Sequence, residues 1–181
     1  MKFKNSKIQK IKKNNGGMTL VELILYVALF MIFITGIVAY GVEAVSVRVK
    51  VAVEQNVIAS SRMVSKRIAY EIRNATAINS LTAQSISLAT ADATRNPVVI
   101  TKTGNKITIG WTGGSACAVA TPCDLTNNDL VENLTFANMS DAGNKSASIK
   151  WDLTMSSLNI GGRKEWSYSK TIIGSAEIMK K

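Results

Sequence analysis

Hydrophobic residues run almost without interruption from Met18 to Val42, and the rest of the chain is patterned quite differently. Only one charged residue, Glu22, falls within this run of 25 residues. As an α-helix rising about 1.5 Å per residue, the run would span roughly 38 Å, whereas the apolar core of a bilayer is about 30 Å thick. The pattern therefore predicts a helix that can cross a membrane with some tilt.

The apolar positions that follow recur every three, four or seven residues, which predicts that the helix continues to Ile78. These positions are Val45, Val49, Val53, Val57, Val64, Ile68, Ile72 and Ala75. Neither proline nor glycine interrupts the chain between Glu43 and Ile78. We expect one helix over Met18–Ile78, lipid-facing at first and amphipathic later. On its solvated face Arg67 and Glu71 would form an i,i+4 pair contributing a few tenths of a kcal/mol.

Beyond residue 78 the pattern changes to the alternation and turn signals of β-strands. The clearest case places Ala147, Ile149, Trp151, Leu153 and Met155 on one face of a strand that is half-buried. The other candidate strands are Ser85–Leu88, Val98–Lys102, Lys106–Trp111, Leu130–Ala137 and Glu165–Ile173. The sequence predicts an α+β fold in which a long N-terminal helix lies on a small antiparallel sheet. Trp111, Trp151 and Trp166 are expected to fill its core, with an exposed adhesive patch as the alternative.

Charge adds a topology to this picture. Six lysines and no acid lie in the first 17 residues, so removal of this segment would lower the formal net charge from +10 to +4. A basic segment before an apolar helix stays cytoplasmic, which places the C-terminal part outside the cytoplasmic membrane. Because much of the basicity belongs to this leader, the charge does not imply a nucleic-acid partner. Histidine is absent, which excludes Ser-His and Cys-His nucleophile pairs and His-based zinc sites.

At the junction of leader and helix, the residues G-G-M-T-L-V-E-L-I resemble the start of type IV pilins and pseudopilins. The resemblance implies that a prepilin peptidase cuts after Gly17 and methylates the new N-terminus at Met18, where many major pilins carry phenylalanine. It also implies that Glu22 directs assembly, since an unpaired carboxylate is costly at membrane depth and the Met18 amine could neutralise it. The end of the helix, Arg62–Ile78, resembles minor pilins and J-type minor pseudopilins.

This resemblance implies the lollipop fold of the family and a division of the chain into four parts. Residues 1–17 would be a removed leader, 18–45 the membrane and assembly half of the helix, 46–78 its amphipathic half, and 79–181 a β-rich head outside the cytoplasmic membrane. The expected function is that of a minor pilin-like structural subunit, not an enzyme, without a cofactor. Its expected partners are the prepilin peptidase, other pilin or pseudopilin subunits, an inner-membrane assembly platform and the lipid bilayer. The mature subunit would end in an extracellular or periplasmic fibre.

Three alternatives remain at this point. The chain could be a minor pseudopilin of a secretion or competence system, or a membrane-anchored binding module that never polymerises. An anchored hydrolase with a Ser/Lys pair is the third, although no motif for one is present.

Two cysteines and one Asx-rich loop complete the candidate chemistry. Cys117 and Cys123 enclose five residues, a spacing that does not fit a C-x-x-C redox motif. In a domain outside the cytoplasm a structural disulfide is the expected state, with two free buried thiols as the alternative. Acidic and amide side chains cluster just after Cys123 and offer oxygen ligands for calcium, at Asp124, Asn127, Asn128 and Asp129. A plain Asx-rich turn is the simpler interpretation of this cluster, so no metal is predicted.

Overall fold

A computed structural model describes residues 17–113, 117–126, 129–140, 147–159 and 161–179, with the backbone alone at residues 129 and 130. The chain divides into two compact units, residues 1–44 and 45–181. The first unit consists, where described, of the start of a long helix. The second unit contains the rest of that helix and every strand that the structure describes.

The helix α1 covers Leu20–Asn74, a length of 55 residues. It is long and apolar enough near its start to cross a membrane, judged by length and composition. In the second unit part of the predicted stripe is confirmed, since Val57, Val64, Ile68 and Ile72 are buried, whereas Val45 is 62% exposed. The predicted end at Ile78 is wrong, because α1 ends at Asn74 and a strand begins at once.

The described part of the chain after α1 contains eight strands in two antiparallel sheets, where the sequence predicted a single sheet. The first sheet has the order β1-β2-β3-β4-β5 and the second the order β6-β7-β8. The strands are β1 Ala75–Leu81, β2 Ser85–Thr90, β3 Val98–Thr103, β4 Lys106–Trp111, β5 Cys123–Asp124, β6 Asp129–Asn138, β7 Ser148–Ser157 and β8 Ser169–Glu177. Short 3₁₀ helices cover Ala93–Arg95 and Lys164–Trp166.

The predicted strands correspond to β2, β3, β4, β6 and β7, with shifts of a few residues at their ends. The alternation in β7 is confirmed, since Ile149, Trp151, Leu153 and Met155 are all buried. The last predicted strand, Glu165–Ile173, is misplaced: its start is a 3₁₀ helix and β8 extends to Glu177. Trp166 is therefore not a core residue, being 46% exposed, whereas Trp151 is 2% exposed.

The two sheets meet at β6 and share one core with the end of α1. Backbone hydrogen bonds join them, from the Phe136 amide to the Ala83 carbonyl and from the Val131 amide to the Asn105 carbonyl, each 2.9 Å long. Apolar residues from both sheets and from α1 form one continuous hydrophobic cluster. This arrangement leaves the opposite face of α1 uncovered within the second unit.

Candidate functional site

The N-terminal candidate residues lie at the beginning of α1. Gly17 and Met18 precede the helix and are exposed, with Met18 54% accessible. A Cβ added to Gly17 would meet no atom within 4 Å. The chain itself therefore tolerates a side chain at this position, and any demand for glycine there would come from an enzyme that binds it.

Thr19 caps the helix, a role that the sequence reasoning missed. Its Oγ1 accepts a hydrogen bond from the Glu22 amide at 3.3 Å, and its carbonyl accepts one from the Leu23 amide at 3.1 Å. The spacing Thr-x-x-Glu is the sequence signature of a capping box, and this signal was available in T-L-V-E. Glu22 also lies in the first turn, where a carboxylate is favoured by the helix dipole.

The Glu22 carboxylate has no hydrogen bond or ion pair with any residue that the structure describes. Around it, the apolar side chains of α1 from Leu20 to Val42 are exposed along the whole span. An unpaired carboxylate at membrane depth costs free energy, so this acid would be stabilised by a cation or by protonation.

A second polar site lies in the other unit, where α1 ends on the first sheet. The Glu71 side chain is 1% exposed, and its Oε1 contacts Arg67 Nη2 at 2.7 Å and Arg95 Nη2 at 2.9 Å. The Arg95 guanidinium also lies over the Trp111 ring, 5.1 Å from its centroid. The expected exposed pair of Arg67 and Glu71 is thus a buried acid held by two cations. The sequence could not reveal Arg95, which is 24 residues further along the chain.

Asp92 holds the 3₁₀ helix that carries Arg95. Its Oδ1 accepts hydrogen bonds from the Thr94 amide at 2.9 Å and from the Thr94 hydroxyl at 2.7 Å. These bonds hold the pKa of Asp92 below its usual value, and the bond from the Thr94 hydroxyl has the larger effect. Gly113 packs on the same turn, since a Cβ there would overlap the Thr94 backbone.

The two cysteines are joined in the structure, with their Cα atoms 4.8 Å apart. The loop they close lies over β4, where Gly110 leaves room for the Val119 backbone. Of the calcium candidates, Asp124 forms an ion pair with Lys106 at 2.5 Å. Asn127, Asn128 and the side chain of Asp129 lie outside the described residues. Among the residues that are described, no group of three His, Cys, Asp or Glu side chains could hold a metal ion.

Comparison with known proteins yields one match. The family model of the prokaryotic N-terminal methylation motif matches residues 12–38. This range contains Gly17, Met18 and Glu22, together with the apolar start of α1. The chain matches no curated protein and no solved structure.

Proposed function

We propose that this chain, which matches the prokaryotic N-terminal methylation motif, is a minor pilin-like subunit of a type IV pilus. In this proposal a prepilin peptidase removes residues 1–17 and methylates Met18. The mature chain stays in the cytoplasmic membrane through residues 18–45, with its β-rich head outside. It then enters the fibre through α1. The observation that carries the proposal is the match over residues 12–38, which includes an exposed Gly17–Met18 junction near its start.

The uncovered apolar start of α1 supports assembly through the helix. All of its side chains between Leu20 and Val42 are exposed in the single chain, although burial of one large apolar side chain is worth about 1.5–3 kcal/mol. Lipid covers this surface before assembly, and neighbouring helices would cover it in a fibre. In such a stack the Met18 amine of an incoming subunit meets Glu22 of the preceding one, which gives the acid its missing cation.

Processing is tested by the substitution Gly17→Glu. The variant should remain an uncut precursor, heavier by the 17-residue leader, while Gly36→Ala, another position where a Cβ meets no atom within 4 Å, should be cut normally. Intact-mass analysis of the membrane fraction measures both. The wild-type protein should begin at N-methylated Met18. Normal cleavage of Gly17→Glu, or a wild-type chain that keeps its leader, would overturn the proposed processing.

Assembly is tested at Glu22. We expect Glu22→Ala to insert and be cut normally, yet to enter the fibre poorly, and Glu22→Asp to be partly active because it is shorter but charged. The matched control is Thr19→Ala, which removes the helix cap but keeps the carboxylate and should cost only about 1 kcal/mol of local helix stability. The measurement is the fraction of tagged subunit in sheared cell-surface fibres relative to the membrane pool.

The outcomes separate the competing interpretations. Equal incorporation of the wild type and Glu22→Ala would remove the role of the acid in assembly. A wild-type subunit that is cut and methylated but never appears in sheared surface fibres would favour a pseudopilin of a secretion or competence system. A chain that keeps Met1 would favour a non-polymerising membrane anchor.

A further inference from the structure

The outward face of α1 in the second unit carries one continuous stripe of exposed residues, each three or four positions after the last. We call it the cationic stripe; its members are Arg48, Ala52, Gln55, Ala59, Arg62, Lys66, Tyr70 and Arg73. Three- and four-residue steps place these side chains on one side of a helix. At about 1.5 Å per residue, the 25 steps from Arg48 to Arg73 extend over roughly 37 Å. From Val57 onward the stripe faces away from the sheets, which cover the opposite side.

Charge is segregated across this part of the helix. The stripe holds four cations and no acid, and none of the four forms an ion pair with a residue that the structure describes. The two acids between residues 45 and 74 are turned away from it. Glu71 is buried between two arginines. Glu54 lies beside the Tyr168 hydroxyl, and burial together with this carboxylate raises the pKa of Tyr168. An unneutralised cationic face of this length fits an acidic partner.

A groove lies next to the C-terminal end of the stripe, between α1 and β8. Its volume is about 530 Å³, and Lys66, Tyr70 and Arg73 line it on the helix side. Trp151 forms part of its wall, donating a hydrogen bond from Nε1 to the Ser65 hydroxyl at 3.1 Å. The indole can lie there because Gly174 has no side chain; a Cβ would overlap the ring. Lys66 and Arg73 flank the groove, which is therefore suited to bind a side chain that ends in a carboxylate.

The spacing of the stripe fits a protein helix as its partner. Arg62, Lys66 and Arg73 lie about 21, 27 and 37 Å along the helix from Arg48. The small side chains of Ala52 and Ala59 lie between the cations. They let the axis of a second helix approach to 8–10 Å, the usual distance between packed helices. A partner helix of similar length can therefore contact the stripe from Arg48 to Arg73.

A second copy of this chain that docked through the same stripe would not supply the acids. It brings the same four cations, and the chain without its leader has a formal net charge of +4. We propose that the cationic stripe binds an acid-bearing helix of a different subunit of the same fibre, with one acidic side chain of that subunit entering the groove beside Lys66 and Arg73. This inference rests on the proposed function and adds the chemistry of the neighbour: the subunit is placed next to an unlike, acidic chain.

Site-specific photocrosslinking in cells tests this with the full chain. Ala59→p-benzoylphenylalanine puts the probe at the centre of the stripe, and mass spectrometry identifies the adduct after purification through a C-terminal tag. The expected adduct is a different chain with its own N-terminal methylation motif, crosslinked at a helix with acidic residues. Adding Lys66→Glu and Arg73→Glu should lower its yield about tenfold, which corresponds to about 1.4 kcal/mol. The matched control, Lys164→Glu with Lys170→Glu, changes the charge equally on the head and should stay within twofold.

Lysine substitutions at the crosslinked acids of the partner should restore the adduct to the charge-reversed chain. An adduct with a second copy, a lipid or a nucleic acid would overturn the proposal, as would a yield that the reversal leaves unchanged. If the Lys66 and Arg73 variant loses its Cys117–Cys123 disulfide, Arg48→Glu with Arg62→Glu replaces it, with the same expected loss. Failure of this inference can be told apart from failure of the proposed function. If only the inference fails, Met18 is N-methylated and the chain enters fibres. If the proposed function fails, the leader stays uncut.

Discussion

Removal of the Glu71 carboxylate is the most informative perturbation of the head. This acid joins the last turns of α1 to the 3₁₀ helix that follows β2, through Arg67 and Arg95. We expect Glu71→Ala to destabilise the head because it removes both charge-assisted hydrogen bonds and opens a cavity at a side chain that is 1% exposed. Arg95 would also lose the partner that holds it over Trp111.

The magnitude follows from the burial of the three partners. A hydrogen bond to a charged group contributes about 1.5–3 kcal/mol, and removal of one partner of a buried ion pair typically costs about 3–5 kcal/mol. Arg67 and Arg95 are 38% and 31% exposed, so after the acid is lost water can solvate them in part and the upper end is not reached. We expect a loss of about 2–4 kcal/mol for Glu71→Ala and about 1–2 kcal/mol for Glu71→Gln. Against a total of about 5–15 kcal/mol for a domain, either is a large fraction.

The assay is urea unfolding of the full chain in detergent, followed by tryptophan fluorescence, with Glu132→Gln as the control. Glu132 is an exposed acid on β6 whose carboxylate receives only a long hydrogen bond from Ser169, at 3.4 Å, so its change should stay within about 0.5 kcal/mol. The double variant with Arg95→Ala should be less destabilised than the sum of its single variants. A Glu71→Ala protein as stable as the control would refute the assignment of this acid to the attachment of α1.

Three further outcomes are expected in the same unfolding assay. Replacing Cys117 and Cys123 by serine should cost about 2 kcal/mol without preventing folding, since the closed loop is short. Gly174→Ala should cost about 1–3 kcal/mol, because its Cβ would displace the Trp151 indole. The Asp92 carboxylate, whose pKa is lowered by Thr94, should stabilise the head above its unfolded value near pH 4, and this contribution should disappear as pH falls through the folded value.

Each of these outcomes has its own check. Freshly purified native protein should show no cysteine that reacts with an alkylating reagent, and two alkylated cysteines would refute the disulfide. Gly161→Ala serves as the control for Gly174→Ala, since its Cβ meets nothing closer than a 4.0 Å contact with Arg163. For the acid dependence, Asp92→Asn should flatten the stability profile below pH 4, and an unchanged profile would contradict the role of Asp92.

The sequence pattern predicts those elements whose side chains alternate between core and solvent over many residues. Strand β7 is the clearest, because it is the central strand of its sheet and buries one face throughout. Strand β1 was missed since its residues Ala75–Leu81 are mostly exposed and continue a helical pattern without a turn signal. The prediction of β8 was misplaced for the same reason, because Ala176 is the one residue of this strand that is buried. Edge strands with little buried surface give the weakest sequence signal.

Long-range polar contacts are the part that the sequence could not supply. The i,i+4 spacing of Arg67 and Glu71 predicted a pair on the helix surface, and the structure contains that pair. Its burial depends on Arg95, which reaches Glu71 from a turn between β2 and β3. Whether an acid on a helix faces water or a sheet is decided by the register of the helix on its sheets. That register is set by Val57, Val64, Ile68 and Ile72 together rather than by any residue near the acid.

The hydrogen bond between Thr19 and Glu22 uses the backbone of Glu22 and leaves its carboxylate free for the role in assembly proposed above. Thr19 uses the Glu22 amide to begin the helix, and this bond does not involve the carboxylate. Cleavage after Gly17 would then place a new cation, the Met18 amine, at the end of the helix where the dipole is already positive, an arrangement that costs free energy. A carboxylate in the first turn offsets both the amine and the dipole. The Glu22 carboxylate can therefore neutralise the Met18 amine of its own chain or that of an incoming subunit. A comparison of Thr19→Ala with Glu22→Ala separates the start of the helix from the recruitment of the next subunit.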